Sequence, residues 1–509
     1  MADSISSAFV SVFFSKLTVL LIAFLFTPAL VRLLGPTGYG QYALVLSIFG
    51  IVNDVIIGGT SDAVRKYISE RSEPDWQATV FGYVFRPALG FGVFTGVGFF
   101  IAAWSGLAAA AFGEAFTSLF YLLAVYAVTE QLSYHNVRTL MGLELESRSE
   151  PLKVLEKALF VVLALTFLSF GLGVDGVLTA HIVTSAVVLV LALGFVSRRI
   201  PIRSIVSPLN VSLPRRQIVG YIGSTMVFFL LLNSLYHVDV ILLQYWTTDE
   251  VVGYYRGALS IAEFLWLAPL AVQLVLLQRI SHLWEQGDID TIQQQSQLVT
   301  RYVFLFTALL AIGVAALAAD FVPLYLGPAF EPAITPLLLL LPGVVGFAVA
   351  RPTLAINQGR RSLRPLLFAT GACSLVNLLL NLLLIPQYGM VGAAIATSVG
   401  YGSLVVFQSM AARHLGYRPL TGLRGGPTLL TIFGSTLVIF PVAELLSSSI
   451  VALVVVPPLG AGIYGLMTIA SGAVTPAEVR DVVERVDILP NPVERRLVAV
   501  IERIPTLQK

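Results

Sequence analysis

The sequence predicts an all-α, polytopic membrane protein with about 14 transmembrane helices, and three observations predict it. Of 509 residues, 57% are hydrophobic and 12% charged, and the mean hydropathy is +0.86. Apolar runs of about 20 residues recur, the length that a hydrocarbon core of roughly 30 Å demands of a helix, and they lack the alternation of barrel strands. Lysine and arginine crowd into alternate connections, as loops on the cytoplasmic side do. That composition excludes a string of soluble domains.

The first span is expected from Phe9 to Leu34; it is too long for a signal peptide, lacks a basic leader and cleavage site, and is expected to be retained. Five more are expected at Gln41 to Val64, Val80 to Trp104, Ala115 to Val137, Leu152 to Phe170 and Val177 to Val196. After a basic linker come a second six: Ile218 to Trp246, Val252 to Leu277, Tyr302 to Ala319, Ala333 to Asn357, Leu366 to Ile385 and Val391 to Ala412. Thr428 to Leu446 and Ile450 to Ala470 complete the set. The expected domains are therefore an N-terminal six-helix lobe (1–200), a cytoplasmic linker (201–216), a C-terminal six-helix lobe (217–416), a helix pair (417–472) and a cytoplasmic amphipathic tail (473–509).

Charge placement tests this order. Arg65, Lys66 and Arg71, then Arg138, Arg148 and Lys153, then the linker arginines, Arg279 and Arg301, Arg360, Arg361 and Arg364, and Arg413, Arg418 and Arg424 fall in every second loop. The loops between carry none, so both termini are expected to be cytoplasmic. The net charge of +2 follows from topology and points to no nucleic-acid partner. Cys373, the only cysteine, lies in an apolar run and is expected to be a packed small side chain.

The two sixes are related. Setting Gly40 on Gly253 brings Gly40-Gln41-Tyr42 over Gly253-Tyr254-Tyr255, and Leu46-Ser47-Ile48 over Leu259-Ser260-Ile261 without a gap. Arg32 to Tyr42, with Gly35, Pro36, Gly38 and Gly40, is expected to be the tight turn of the repeated hairpin. In the tail, Thr475-Pro476-Ala477-Glu478 and Asn491-Pro492-Val493-Glu494 each read as an N-cap, a proline at the first helical position and a glutamate two residues later.

Polar residues inside the spans carry the functional expectation, because an ionised side chain in a bilayer costs at least a few kcal/mol and normally faces a bundle interior or a wet cavity. Lys16, Arg86, Arg256 and Arg351 are the deep cations and are expected to bind substrate; Lys157 and Arg32 sit near the surfaces and can snorkel. Asp54, Glu130, Asp239 and Glu263 are the acidic counterparts, expected either to couple an ion or to act as counter-ions. Ser47, Gly50, Asp54, Gly58 and Ser61 share one small, polar helix face. Arg256 and Glu263 share another, and Thr370, Ser374, Asn377 and Asn381 form a stripe that is either interhelical glue or cavity wall. His237 and Asp239 point to opposite sides of their helix, and His181 reads as structural. Pro28, Pro87, Pro269, Pro342 and Pro352 permit bends within spans.

No catalytic constellation emerges, and neither a metal nor another cofactor is expected: Gly35 to Gly40 lacks the Lys-Ser or Lys-Thr of a phosphate loop, and no zinc-ligand spacing occurs. Without a nucleotide-binding domain, any driving force must come from an ion gradient or the substrate.

Arg32-Leu33-Leu34-Gly35-Pro36 leading to Tyr39-Gly40-Gln41-Tyr42, Asp239 with Glu250-Val251-Val252-Gly253-Tyr254-Tyr255, and Asn381 with Pro386-Gln387-Tyr388-Gly389-Met390-Val391-Gly392-Ala393-Ala394 occur in an order that resembles the polysaccharide-biosynthesis flippases. These are the O-antigen-type lipid-linked oligosaccharide transporters of the multidrug/oligosaccharidyl-lipid/polysaccharide exporter superfamily. The resemblance covers nearly the whole chain. It implies two six-helix lobes about a central cavity, alternating access, a polyprenyl-(pyro)phosphate-linked glycan as substrate, and the plasma (inner) membrane of a prokaryote. Membrane lipids and glycan-assembly enzymes are the implied partners. The rival from the same superfamily is an ion-coupled multidrug/cation antiporter, against which four deep cations argue. A membrane-embedded glycosyltransferase or polymerase would need larger outer loops than these, and a non-transporting scaffold leaves the buried charges unexplained.

Overall fold

The structure, a computed structural model, describes residues 2–206, 211–359, 364–478 and 480, with side chains described except at 2–17, 20, 274, 275, 277–279, 281 and 282. Helices follow one another as α1 (Ala2–Phe49), α2 (Val55–Ser69), α3 (Pro74–Trp104), α4 (Leu107–Phe112), α5 (Phe116–Gly142), α6 (Glu146–Ser169) and α7 (Gly173–Ser197). After the linker come α8 (Arg215–Trp246), α9 (Asp249–Glu263), α10 (Leu267–Gln286), α11 (Ile289–Leu326), α12 (Ile334–Gln358), α13 (Arg364–His414), α14 (Gly425–Glu444) and α15 (Ser449–Ala470). No strand occurs among the described residues.

Nine stretches of the described residues are long and apolar enough to cross a membrane. Two of them, Leu21–Ser69 and Arg364–His414, are interrupted by a glycine and hold two spans each. With α5, α6 and the α9–α10 pair, which are of span length but more polar, the helices match the expected fourteen.

Each interruption has a local cause. Gly35 adopts φ 66°, ψ 176° and Gly389 φ 54°, ψ −130°, conformations that only glycine adopts without strain. A Cβ on Gly35 would meet nothing within 4 Å, so backbone conformation alone demands glycine there. Between α9 and α10, Phe264–Trp266 tightens to a 3₁₀ turn. Pro269, with no N–H, withholds the helical bond that the Leu265 carbonyl would otherwise receive. Gly50–Asp54 forms a π-helical turn between α1 and α2; such a bulge inserts a residue and turns the side chains that follow.

The surface confirms the solvent. Phe94 (76% exposed), Trp104 and Phe170 point outward, while Asn53, Thr60, Gln131 and His135 are fully buried. That distribution suits hydrocarbon outside and polar packing within.

The chain divides into two compact units, Met1–Gly257 with Thr370–Thr397, and Ala258–Ala369 with Ser398–Lys509. In the first, α2, α3, α5, α6, α7 and the start of α8 share an apolar core around Tyr67, Trp76, Phe81 and Leu140. In the second, α11, α14 and α15 pack through Leu305, Ile439, Val456 and Tyr464, and α10, α12 and the end of α13 pack around Ile280, Ile356 and Tyr417.

Candidate functional site

Within the first unit the two copies of the repeat meet at the residues that align. A methyl group on Gly40 would lie 1.8 Å from the Asp249 carbonyl oxygen, and one on Gly253 would lie 2.0 Å from the Pro36 carbonyl oxygen. Each copy therefore needs its glycine because the other copy's backbone occupies the space. Asp249 fastens the contact, accepting from Gln41 Nε2 at 2.8 Å and Gln244 Nε2 at 2.6 Å.

The close approach continues along the membrane. The ring of His237 would lie 2.6 Å from a Cβ at Gly50, the ring of Phe229 2.2 Å from one at Gly58, and Met226 2.3 Å from one at Gly59. The small, polar face expected on the second span thus packs against α8, with glycines admitting the large side chains of its neighbour.

His237 and Asp239 face different helices, as their spacing predicts. His237 meets the π-helical turn; Asp239, fully buried, accepts hydrogen bonds from the Tyr255 hydroxyl of α9 and, at 2.9 Å, from the Thr397 hydroxyl of α13. Its other oxygen accepts the Val240 N–H. Hydroxyl and amide donors stabilise a carboxylate, and the Arg256 guanidinium acts on it electrostatically at longer range. On α13, Asn381 donates to Asn377 Oδ1, Asn377 to the Ala396 carbonyl, and Ser374 to the Leu231 carbonyl at 2.6 Å. The stripe is hydrogen-bonding glue along these helices, with the Asn381 carbonyl oxygen buried and still without a partner.

A second charged centre lies in the other unit. Arg351 is 8% exposed on α12, directly before Pro352, and donates to Gln273 Oε1 at 2.9 Å. Its guanidinium carbon lies 4.8 Å from the Phe347 ring centre and 5.2 Å from that of Trp266, while its Nε has no partner. No carboxylate lies within 4.0 Å of it among the described residues. The helix behind it is held closely: a Cβ at Gly343 would lie 2.4 Å from the Ser398 carbonyl oxygen, and the Gly343 N–H donates to Ser398 Oγ.

The other expected residues distribute as follows. Arg256 and Glu263 are half-buried near the two ends of the last turns of α9. Asp54 ends the π-helical turn, and Glu130 is half-buried one helical turn beyond Tyr126 on α5. Arg86 is exposed and donates its Nε–H to the Ile205 carbonyl of the linker at 2.6 Å, so it reaches towards the basic end of its helix. The side chain of Lys16 lies outside the described residues, as does the second tail motif from Asn491. His181 is packed, stacked 4.0 Å from Phe160 and bonded to the Tyr42 hydroxyl at 2.9 Å.

Gln273, Tyr255, Thr397 and Trp266 were not foreseeable as site residues, being uncharged and far apart in the chain. Glu156 was: it lies half-buried inside a span beside Lys157, and the same charge criterion picks it out.

This architecture has solved relatives. The chain matches the lipid II flippase MurJ in an inward closed conformation with a TM-score of 0.68 at 14% identity, covering 90% of this chain and 97% of that one. It matches an inward-facing multidrug-resistance MATE family transporter of the MOP superfamily at 0.66 and 17% identity, covering 79% and 98%. For a MOP superfamily transporter from Pyrococcus furiosus, whose binding pocket is described as having reversed polarity, the values are 0.61, 16%, 80% and 95%. In sequence it is 25% identical over 276 residues to an uncharacterised membrane protein of Methanocaldococcus jannaschii, 53% of this chain, and spans about half (52%) the length of that relative. Residues 29–335 match the family described as polysaccharide biosynthesis protein, and the chain, a multi-pass membrane protein with the MOP transporter fold, belongs to that family.

Proposed function

We propose that the chain is a flippase, not an enzyme, and that it carries a polyprenyl-(pyro)phosphate-linked oligosaccharide from the cytoplasmic to the outer leaflet. It does so by alternating access between lobes 1–200 and 217–416, in the plasma membrane of a prokaryote with both termini cytoplasmic. The observation that carries this reading is Arg351: a guanidinium 8% exposed within a span, whose described partners are neutral. Aromatic faces add about 0.5–2 kcal/mol to such a cation. They do not cancel its charge, which remains for an anionic phosphate to neutralise, and a guanidinium fork suits phosphate oxygens. Arg86, held at the linker by the Ile205 carbonyl, is assigned no contact with the phosphate.

Asp239 supplies the other half of the proposal. It is the coupling-ion site, binding a proton or sodium ion in exchange for the cargo step. The test uses proteoliposomes, a fluorescent polyprenyl-linked sugar and an imposed ion gradient. Arg351→Ala should lower flipping at least tenfold at normal protein levels, and full retained activity would sink the assignment.

Asp239 also favours one rival, an ion-coupled exporter of cationic compounds. Gradient-dependent efflux of a cationic dye by the same vesicles, with no movement of the glycolipid, would establish the rival in place of the flippase.

A further inference from the structure

Outside the spans, one cluster of charges does not balance. Arg301 stands immediately before the expected ninth span, is 4% exposed, and donates its Nη2 to Glu478 Oε1. Arg424, in the left-handed region (φ 47°) directly before α14, sends Nη2 to the same oxygen at 3.1 Å and Nη1 to Oε2 at 3.0 Å. Two guanidinium groups from different helices therefore converge on a single carboxylate oxygen.

Glu478 is held there by its own segment. Its Oε2 accepts the Thr475 N–H at 2.9 Å and its N–H donates to Thr475 Oγ1 at 3.3 Å, the reciprocal pair of a capping box. Burial alone would raise its pKa, but the Thr475 N–H and the two arginines outweigh burial and hold it below the usual carboxylate range. Glu478 therefore carries its full negative charge near neutrality.

Arg424 Nη1 also donates to the Gly472 and Ala473 carbonyls at 3.3 and 3.4 Å, which are neutral acceptors, so among the described residues two arginines against one carboxylate leave one formal positive charge over. Two further features say where a counter-charge would sit. Arg301 Nε is buried with no hydrogen-bond partner. Beside Arg424, the exposed Gly425 and Gly426 open the 20-residue helix α14, with nothing within 4 Å of a Cβ at either. The start of such a helix presents unbonded N–H groups and partial positive charge. Arg301 directly precedes the expected ninth span and Arg424 stands four residues before the expected thirteenth, and the ends of a spanning helix are where it meets lipid headgroups.

We propose that Arg301, Arg424 and the start of α14 bind the phosphodiester headgroup of an anionic membrane lipid, which seats beside Glu478 and supplies the missing negative charge. The lipid joins Glu478 rather than replacing it, since carboxylate and phosphodiester together match the two guanidinium groups. The site is separate from the transport centre: it fixes the segment after α15 to Arg301 of α11 and to the start of α14, and makes that fixation dependent on lipid charge.

The experiment titrates purified, detergent-solubilised protein with phosphatidylglycerol, phosphatidylcholine or inorganic phosphate, reading bound lipid by native mass spectrometry and Tm by thermal unfolding. Phosphatidylglycerol should bind saturably and raise Tm, with phosphatidylcholine at least tenfold weaker. Arg301→Gln and Arg424→Gln should each lose at least tenfold in affinity for phosphatidylglycerol. Glu478→Gln keeps both arginines and raises the local charge, so it should bind that lipid at least as tightly as the parent, which tests the idea even if the arginine variants unfold. Unchanged binding in the double arginine variant, equal binding of the two lipids, or loss of binding in Glu478→Gln would overturn the proposal. Inorganic phosphate reproducing the full shift, with no further effect of lipid, would make the ligand a soluble anion and overturn the lipid assignment.

Discussion

Tyr42 and Tyr255 occupy equivalent positions in the two copies of the repeat, and their hydroxyl groups have different kinds of partner. Tyr42 bonds the ring of His181, which is stacked on Phe160 and lies 5.2 Å from the Tyr126 ring centre. Tyr255 donates to a carboxylate, Asp239, and its oxygen lies 3.1 Å from the Thr397 hydroxyl oxygen. One copy uses its tyrosine to fasten an aromatic cluster; the other uses it to hold a buried acid. Duplication therefore preserved the helix contacts, including the reciprocal glycines, while the chemistry diverged between the copies.

The largest expected effect breaks the acid side of that comparison. Asp239→Ala strips the Tyr255 and Thr397 hydroxyl groups of their shared acceptor; standing 3.1 Å apart, one can then donate to the other, which leaves one buried donor unpaired at about 1–3 kcal/mol. It should lower Tm by several degrees and abolish the ion dependence of transport in proteoliposomes. Asp239→Asn keeps an acceptor, so it should recover much of the stability and none of the ion dependence.

Removing the two tyrosine hydroxyl groups sharpens the contrast. Tyr255→Phe removes a hydrogen bond to an ionisable acceptor, about 1.5–3 kcal/mol, whereas Tyr42→Phe removes a neutral one, about 0.5–1.5 kcal/mol. Chemical denaturation should rank them in that order, and only Tyr255→Phe should change the concentration of ion giving half-maximal transport. Equal effects of both on ion dependence would erase the functional difference between the copies.

What the copies share is tested by Gly40→Ala and Gly253→Ala. Each places a methyl against backbone carbonyl oxygen, and overpacking of this kind costs typically about 1–3 kcal/mol. The two single variants should lose similar stability, and the double variant less than the sum, because both act by prising apart one contact.

The smallest effect concerns the tail. The pKa of Glu478 is depressed in the folded chain, so its contribution is present above the unfolded carboxylate value and is lost as pH falls through the folded one. Protease access to the segment after α15 should rise below about pH 4 in the parent. In Glu478→Gln that access should be high at every pH.

Much of the fold was legible in the chain because its determinants are one-dimensional. Run length located the spans, and the breaks at Gly35 and Gly389 fall inside the Gly-Pro and Pro-Gln-Tyr-Gly turns that the sequence marks. The capping box at Thr475 and Glu478 forms as its spacing predicts, because its partners are three residues apart. The π-helical turn at Gly50–Asp54 was not legible, since nothing in Gly50-Ile51-Val52-Asn53-Asp54 distinguishes it from an ordinary turn.

The candidate sites were legible only as single residues. Charge inside a span was enough to select Asp239 and Arg351, because the bilayer penalises such groups wherever they stand. Their surroundings were not available: Thr397 is 158 residues from Asp239, and Gln273 is 78 from Arg351.

By itself, then, the sequence determined that this chain crosses a membrane many times, is built from two related halves, and keeps a few ionisable groups where hydrocarbon disfavours them, because each follows from hydropathy, local geometry and charge read along one dimension. Only the tertiary structure decided that Gly40 and Gly253 exist for one another, that Asp239 is held by hydroxyl groups, and that Arg351 stands between aromatic rings. Those are matters of which helix faces meet, and side-chain period fixes a residue's face without saying what lies opposite.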